Sequence, residues 1–177
     1  MRDVNNTSII LVVAHEGYQP IEYSVTKKIL EDAGITTTTA SNKGRIATAK
    51  DDSSTMIDIS TDNIDMAKYD GIFFIGGPGA MENLDNEISY KVIQKAAELS
   101  KPLGSICIST RILAKAGALD GKKATGWDGD NELAGILEKY KAIYIKEKVV
   151  VDDTIITATD PSAAKEFGEA ILKIVKK

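Results

Sequence analysis

Apolar positions along the chain follow two different spacings, and the segments with each spacing alternate. Short apolar runs occupy residues 9–14, 71–75 and 103–106, whereas residues 20–33 and the last part of the chain repeat apolar residues three and four positions apart. Short runs next to glycine predict buried strands, and the wider spacing predicts amphipathic helices. Because strands and helices alternate, the pattern favours a mostly parallel sheet that is covered by helices on both faces.

The segments between these elements carry weaker patterns. Residues 44–61 combine turn-forming residues with two short alternating pieces, which favours a small hairpin excursion over a helix. A threonine-rich strand is predicted at residues 35–40, and short strands are predicted at residues 123–126, around Ile143 and at 149–157. One predicted helix has Ile88, Val92, Ala96 and Leu99 on one face, another contains Ile112, Leu113 and Ala116 and ends at Gly117, and a third covers residues 131–140. A final helix begins at Asp160 and Pro161 and turns Phe167, Ile171 and Val175 inward.

The length and composition of the chain restrict its class. A chain of 177 residues that is 43% hydrophobic and 27% charged suits one globular domain over residues 1–177, with a sizeable core. A net charge of −4 provides no basic field for nucleic acid or for an anionic membrane. We therefore expect neither a nucleic acid nor a membrane as a partner.

The first apolar run and the cysteine content bear on location and cofactors. Residues 9–14 are too few for the apolar core of a signal peptide or for a membrane span. One cysteine forms no internal disulfide, which agrees with a reducing compartment, and we expect a cytoplasmic protein. One histidine and one cysteine do not supply a zinc site of the usual ligand count, and the sequence has neither a Walker-type GxxxxGKS/T motif nor GxGxxG spacing at its glycine cluster.

Cys107, the only cysteine, lies where the apolar run at residues 103–106 gives way to a helical spacing. At the start of a helix, unpaired backbone N–H groups and the helix dipole favour a thiolate over a thiol, and they make a cysteine reactive. A single cysteine after a strand is as often a small, inert core residue. The local pattern leaves both interpretations open.

Parallel sheets bind ligands beyond the carboxyl ends of their strands, and this rule places three distant segments together. Residues 15–17 follow the first strand, Gly76 and Gly77 follow the third long strand, and Cys107 follows the next one. Glu22, in the first turn of the first helix, is expected at the same edge. The two glycines serve either as simple turn residues or as a loop whose N–H groups approach an anionic oxygen.

Four segments, taken in order, carry a resemblance over nearly the whole chain. They are GYQPIE, which ends at Glu22, IGGPGAMENL, SICISTRILAKAGALDGKKATGW around Cys107, and VVVDDTIITATDPSAAKEFGEAILKIV. In these segments the sequence resembles the ThiJ/PfpI superfamily, whose members include deglycases, PfpI-type proteins and glyoxalase III-like proteins. The resemblance implies a single-domain, flavodoxin-like three-layer sandwich of the class I glutamine amidotransferase-like type, with Cys107 at a nucleophile elbow.

The resemblance also implies roles for individual residues. Glu22 would be the acidic residue beside the sulfur of Cys107, and the backbone N–H groups of Gly77 and Ile108 would face an oxyanion. A carboxylate and a thiolate in contact repel each other, so we expect a protonated Glu22 that donates a hydrogen bond to a Cys107 thiolate. Family members commonly form homodimers with the active site near the interface, and a homodimer is expected here.

The sequence lacks both histidines that related sites commonly use. Ile108 stands directly after the cysteine, and Trp127 stands after the KATG segment. His15, the only histidine, is one of four candidate pocket residues, together with Tyr18, Ser109 and Trp127. Proteolysis needs an activated thiol and a proton donor for the leaving amine, so peptidase activity is not expected. A glutamine amidotransferase is excluded because it needs a catalytic histidine after the cysteine.

Two functions fit these residues. The first is a stress-response protein whose Cys107, supported by a protonated Glu22, is sensitive to oxidation. The alternative is a glyoxalase III- or deglycase-type enzyme in which Cys107 adds to a small carbonyl such as methylglyoxal and Glu22 shuttles the proton. The expected partner is accordingly a small carbonyl substrate or an oxidant, and neither a metal nor an organic cofactor is expected.

Overall fold

The computed structural model describes residues 6–176 and is built around one large sheet. The strands are β1 (Ser8–Val13), β2 (Glu16–Tyr18), β3 (Thr36–Ser41), β4 (Ile46–Ala49), β5 (Ser54–Met56), β6 (Ile59–Ser60), β7 (Gly71–Phe74), β8 (Leu103–Ile106), β9 (Lys123–Ala124), β10 (Ile143–Tyr144), β11 (Val149–Asp152) and β12 (Ile155–Ala158). The helices are α1 (Pro20–Asp32), α2 (Ala80–Leu84), α3 (Glu87–Glu98), α4 (Thr110–Lys115), α5 (Leu133–Lys139) and α6 (Ala164–Val175). The main sheet has the strand order β11-β12-β8-β7-β1-β3-β6, and only the pair of β11 and β12 is antiparallel.

Strand β1 lies near the middle of this sheet. Its residues 9–13 are fully buried, and Ile10 lies opposite Thr38 of β3 and Ile72 of β7. A parallel strand that is covered on both faces needs apolar side chains on both sides, which is why β1 and β7 are continuous apolar runs rather than alternating ones. The mostly parallel sheet predicted from the sequence is confirmed.

Helices flank both faces of the sheet, as the alternating pattern predicted. Helices α1 and α6 pack against each other, with α1 on β1 and β3 and α6 on β12. Helix α3 packs on β7 and β8 and against α4. After β1 the chain crosses to β3 on one side, and after β7 it crosses to β8 on the other side. Because such crossovers are right-handed, the helices that follow β1 and β7 lie on opposite faces of the sheet. Among residues 6–176, no helix is both long and apolar enough to cross a membrane.

The ends of the first and last helices follow from local sequence signals. Helix α1 begins at Pro20, the side chain of Gln19 accepts a hydrogen bond from the N–H of Ile21 at 3.3 Å, and Gly34 follows the helix with a φ of +84°. Asp160 caps a short 3-10 turn, Pro161–Ala163, that leads into α6. The inward positions predicted for α6, namely Phe167, Ile171 and Val175, are all buried.

Two elements differ from the prediction. The predicted face of α3 is only partly correct, because Val92 and Ala96 are buried but Ile88, and Leu99 directly after the helix, are 45% and 39% exposed. The buried face of α3 contains Ser89, Val92, Ile93 and Ala96. Residues 149–157 form no single strand. They form the hairpin of β11 and β12, which turns at Asp153 with a φ of +59°.

The excursion at residues 44–61 is more extensive than its sequence pattern indicates. Strands β4 and β5 form the predicted antiparallel hairpin, in which Ile46 lies opposite Met56. Strand β2, directly after β1, pairs with β4 and makes a small three-stranded sheet. Strand β6 pairs with β3 at the edge of the main sheet. The excursion therefore packs beside the carboxyl end of β1 and connects back to the main sheet.

Candidate active site

The loops after β1, β7 and β8 meet at one edge of the main sheet. These three strands are neighbours and parallel. The strand order reverses between β1 and β7, since β3 is added beside β1 on one side and β8 beside β7 on the other, and open sheets of this kind form a crevice at such a point. The N–H of Gln19 donates to the carbonyl oxygen of Gly76 at 2.9 Å, and the N–H of Gly79 donates to that of Gly17 at 3.1 Å. These bonds tie the first two loops together next to the third.

Cys107 is the first residue after β8 and opens a 3-10 turn, Cys107–Ser109, that runs into α4. Its φ of +66° lies in the left-handed region, which non-glycine residues rarely adopt. The N–H of Trp127 donates to the carbonyl oxygen of Cys107 at 3.1 Å and helps to hold this turn. Cys107 is half-buried as a residue.

Glu22 is fully buried in the first turn of α1. Its Oε2 accepts a hydrogen bond from the N–H of Gly76 at 2.9 Å, while its Oε1 makes no conventional hydrogen bond within the described residues. A Cβ atom at Gly76 would lie 2.5 Å from the Cβ of Cys107 and 2.9 Å from Oε2 of Glu22. The absence of a side chain at Gly76 is therefore what allows the carboxyl and the cysteine to approach each other.

Burial raises the pKa of both groups. The pKa of Glu22 rises to about 7, mainly because the carboxyl is desolvated, although the N–H of Gly76 lowers it. The pKa of Cys107 rises to about 12, first through desolvation and then through the charge of Glu22, and the N–H groups of Ile108 and Gly77 act in the opposite direction. The expected thiolate with a protonated Glu22 is thus not the resting state that these surroundings favour, because desolvation outweighs the backbone donors. The pair therefore holds a thiol beside a carboxyl that keeps its proton to a higher pH than an ordinary glutamate does.

Removing the charge of Glu22 tests this coupling. In the variant Glu22→Gln, the amide opposes ionisation of the thiol less than a carboxylate does, so the pKa of Cys107 falls. We expect alkylation of Cys107 by iodoacetamide above neutral pH to become faster by about tenfold, the equivalent of one pKa unit. The measurement is the alkylation rate against pH, followed by intact mass. Glu22→Asp keeps the charge and serves as the comparison, and equal profiles for all three proteins would rule out the pairing.

A cavity of about 370 Å³ opens beside the thiol. Four of the residues singled out in the sequence border it: Cys107, Gly77, Ile108 and Trp127. The sequence did not indicate the other lining residues, which are Gln19, Lys50, Pro78, Asp160 and Pro161. Two of these act on Glu22 through their charges, since Asp160 raises the pKa of its carboxyl and Lys50 lowers it.

Three candidate pocket residues lie outside this lining. Tyr18 is buried and packs edge-on against Tyr23 with ring centroids 5.6 Å apart. The hydroxyl of Ser109 is buried and donates to the carbonyl oxygen of Ile75 at 2.7 Å, which holds the turn rather than a ligand. His15 lies with its ring against Gly44. The only histidine of the sequence therefore does not border the cavity.

The acidic residues after Trp127 have structural partners. The carboxylate of Asp130 binds the guanidinium of Arg111 at 2.7 and 2.9 Å, which lowers the pKa of Asp130. Asp128 accepts a hydrogen bond at 2.9 Å from the N–H of Leu133, the first residue of α5. In the part of the chain that the structure describes, no three histidine, cysteine, aspartate or glutamate side chains are grouped to hold a metal ion.

Comparison with known proteins places this arrangement in a family. The model of the DJ-1/PfpI family matches residues 7–174. The chain belongs to the DJ-1/PfpI family. The resemblance inferred from the four sequence segments and the flavodoxin-like α/β fold that it implies are confirmed.

Relatives of this DJ-1/PfpI protein match nearly its whole length. General stress protein 18 of Bacillus subtilis is 27% identical over 177 residues, which cover 95% of this chain and 98% of that protein. The deglycase PfpI of Pyrococcus furiosus is 24% identical, over 94% of this chain and 99% of its own. The crystal structure of a ThiJ/PfpI domain protein from Brachyspira murdochii matches with a TM-score of 0.91 and 26% identity, over 99% of this chain and 98% of that one.

Proposed function

We propose that this protein acts on small reactive carbonyl compounds through Cys107, with Glu22 moving the proton. The observation that carries the proposal is the close approach, across Gly76, of the buried Glu22 carboxyl to a cysteine at the wall of a cavity. A carboxyl with a pKa of about 7 both accepts and donates a proton near neutral pH, which suits general acid–base catalysis. A relative named as a deglycase supports the same assignment.

The first step joins the thiol to the carbonyl compound. The Glu22 carboxylate accepts the thiol proton as the sulfur attacks the carbonyl carbon, so that a C–S bond forms and the π electron pair moves to the oxygen. That oxygen then receives the proton from Glu22, and the product is a hemithioacetal. The N–H groups of Gly77 and Ile108, which already act on the sulfur, are the candidate donors to the developing oxyanion.

For a 2-oxo aldehyde, further proton transfers complete the reaction without an external oxidant. A proton leaves the aldehyde carbon of the hemithioacetal while the neighbouring carbonyl oxygen gains one, which gives an enediol. A proton then joins the neighbouring carbon as the hydroxyl on the former aldehyde carbon loses its proton, and the adduct becomes a 2-hydroxy thioester. Water then cleaves the C–S bond, releases a 2-hydroxy acid and returns the thiol proton. One water molecule is consumed in each cycle, and Glu22 is the group placed to carry the protons.

Methylglyoxal provides the decisive experiment. We expect the wild-type protein to convert it into lactate and Cys107→Ser to produce none above the uncatalysed rate, because a serine hydroxyl is a far weaker nucleophile here. Lactate is measured enzymatically at fixed protein concentration, and circular dichroism verifies that the variant is folded. Lactate formation that is absent from both proteins, or equal in both, would remove the enzyme assignment.

A second candidate function is oxidation of Cys107 in a stress response. The N–H groups of Ile108 and Gly77 act on the sulfur, and Glu22 is protonated below about pH 7, so all three are able to donate to the oxygens of a sulfinate. Two molecules of peroxide supply the two oxygens and leave as water. A relative named as a general stress protein supports this candidate.

We also propose a cytoplasmic homodimer, as family resemblance implies. Ile46 and Met56 lie opposite each other on β4 and β5, and both side chains are more than half exposed. Such a pair on the excursion offers apolar surface to a second copy of the chain.

A further inference from the structure

Trp127 occupies the position of a missing histidine, and its indole is held from several sides. The guanidinium carbon of Arg111 lies 5.5 Å from the ring centroid. The backbone of Gly129 is so close to the indole that a Cβ atom at that position would overlap it. The N–H of Trp127 is bonded to the carbonyl oxygen of Cys107. These contacts fix the indole relative to the thiol.

Arg111 is itself immobilised. Its side chain is buried, and its Nη2 contacts both oxygens of Asp130, at 2.7 and 2.9 Å. Its Nη1 lies 3.9 Å from the carboxylate of Glu132. With its charge neutralised by these carboxylates, Arg111 supports the aromatic ring and does not serve as a free anion contact.

The walls of the cavity around the thiol are largely apolar. Trp127, Pro78, Ile108 and Pro161 contribute side chains without a formal charge, and the charged lining residues are Lys50 and Asp160. A volume of about 370 Å³ lies in the range of pockets that accept whole organic ligands, well beyond the needs of a three-carbon carbonyl. The cavity is thus wider and more apolar than methylglyoxal alone requires.

We propose that Trp127 makes this cavity selective for electrophiles that carry a flat apolar group, and that the carbonyl substrate is an aryl-substituted aldehyde or 2-oxo aldehyde. The carbonyl part of this inference rests on the proposed function, whereas the selectivity rests on the cavity itself. A flat ring that contacts a fixed indole, stacked or edge-to-face, gains an aromatic interaction and removes apolar surface from water.

Two thiol reagents that differ only in one group measure this selectivity without any turnover. Benzyl methanethiosulfonate and methyl methanethiosulfonate both react with the Cys107 sulfur, which forms an S–S bond while the S–SO₂ bond breaks. Methanesulfinate leaves with the electron pair, and the thiol proton passes to Glu22 or to solvent. The benzyl-to-methyl rate ratio, divided by the same ratio for N-acetylcysteine, reports the preference of the cavity alone.

We expect the normalised ratio of the wild-type protein to be about tenfold, the size of effect that one aromatic pair and its buried surface produce. Trp127→Ala is expected to return the ratio to about one, and Trp127→Phe to keep most of it. Ile88→Ala, an exposed position on α3, is the matched control and should leave the ratio unchanged. Circular dichroism verifies that each variant is folded.

A wild-type ratio near one, or a ratio that survives in a folded Trp127→Ala, overturns the proposal. Failure of the proposed function gives a different result, in which the reagent ratio is high but no carbonyl compound is turned over. Where turnover is present, phenylglyoxal and methylglyoxal are compared next, with mandelate and lactate as products. A kcat/KM that does not favour phenylglyoxal would contradict the aryl substrate.

Discussion

Glu22→Gln is expected to make the fold more stable than the wild type at about pH 8. The same change is expected to slow turnover of carbonyl substrates by about 10²- to 10⁴-fold, which is the contribution typical of a general acid–base group. The glutamine oxygen still accepts the hydrogen bond that the N–H of Gly76 donates to Glu22. The amide has no proton to exchange, so catalysis is lost. It also never carries the buried negative charge that the wild-type protein acquires as the pH rises.

The direction of the stability effect follows from the pKa of Glu22, which is about 7 in the folded protein against an ordinary value of 4.5. The folded state binds this proton more tightly than the unfolded state, so the wild type loses stability as the pH rises from 4.5 through 7. The loss amounts to about 3 kcal/mol for a shift of this size. Glutamine lacks this titration, so the two proteins diverge between about pH 4.5 and pH 7, and the difference stays constant above that range.

Urea unfolding of both proteins at about pH 5 and pH 8 measures this divergence. The matched control is Glu169→Gln on α6, where the side chain is more than half exposed. That change should alter neither the pH dependence of unfolding nor the turnover. If Glu22→Gln and the wild type lost stability in parallel between the two pH values, the buried carboxyl would not titrate as described.

Gly104→Ala is expected to destabilise the fold by about 3 kcal/mol, at the upper end of the range for steric overpacking. Gly104 lies in β8, and a Cβ atom there would overlap the carbonyl oxygen of Ile156 in β12, well inside the 3.0 Å limit for real contacts. Because that neighbour is backbone, it does not move aside without separating the two strands. Since β8 leads directly into Cys107, the same displacement would shift the thiol.

Gly135→Ala is the matched control for this glycine. Gly135 lies inside α5, and a Cβ atom there would meet no atom within 4 Å. Alanine should therefore stabilise the protein by about 0.5–1 kcal/mol through helix propensity. Urea denaturation of both variants gives the two free energies of unfolding. A Gly104→Ala protein that was as stable as the wild type would show that β8 and β12 are not packed as closely as described.

The main sheet was predictable because its signals are local. Buried parallel strands are continuous apolar runs, and the loops after β1, β7 and β8 share an edge by topology alone. Strand β2 has three residues and pairs with β4, far along the chain, so its sequence carries no period to detect. On α3, the spacing of apolar residues is compatible with more than one face, and packing against β7 and β8 selected the face that buries Ile93.

The candidate site was predictable only in part, because local sequence signals mark some of its residues and not others. Cys107 directly follows β8 and Glu22 lies in the first turn of α1, and motif resemblance marks both residues. Lys50 comes from the excursion and Asp160 from the start of the last helical segment, so only the folded chain brings them to the cavity. The protonation state was not predictable either, because desolvation of Glu22 and Cys107 depends on packing that no short sequence pattern describes.

The indole of Trp127 borders the cavity, and the sequence contains a single tryptophan. The tryptophan emission of this protein therefore comes from one wall of one cavity, a few ångströms from the guanidinium of Arg111. A ligand that enters beside Cys107 changes the surroundings of the sole long-wavelength fluorophore. The protein thus carries an intrinsic optical reporter at its candidate active site, and the native chain can be screened for ligands without a label.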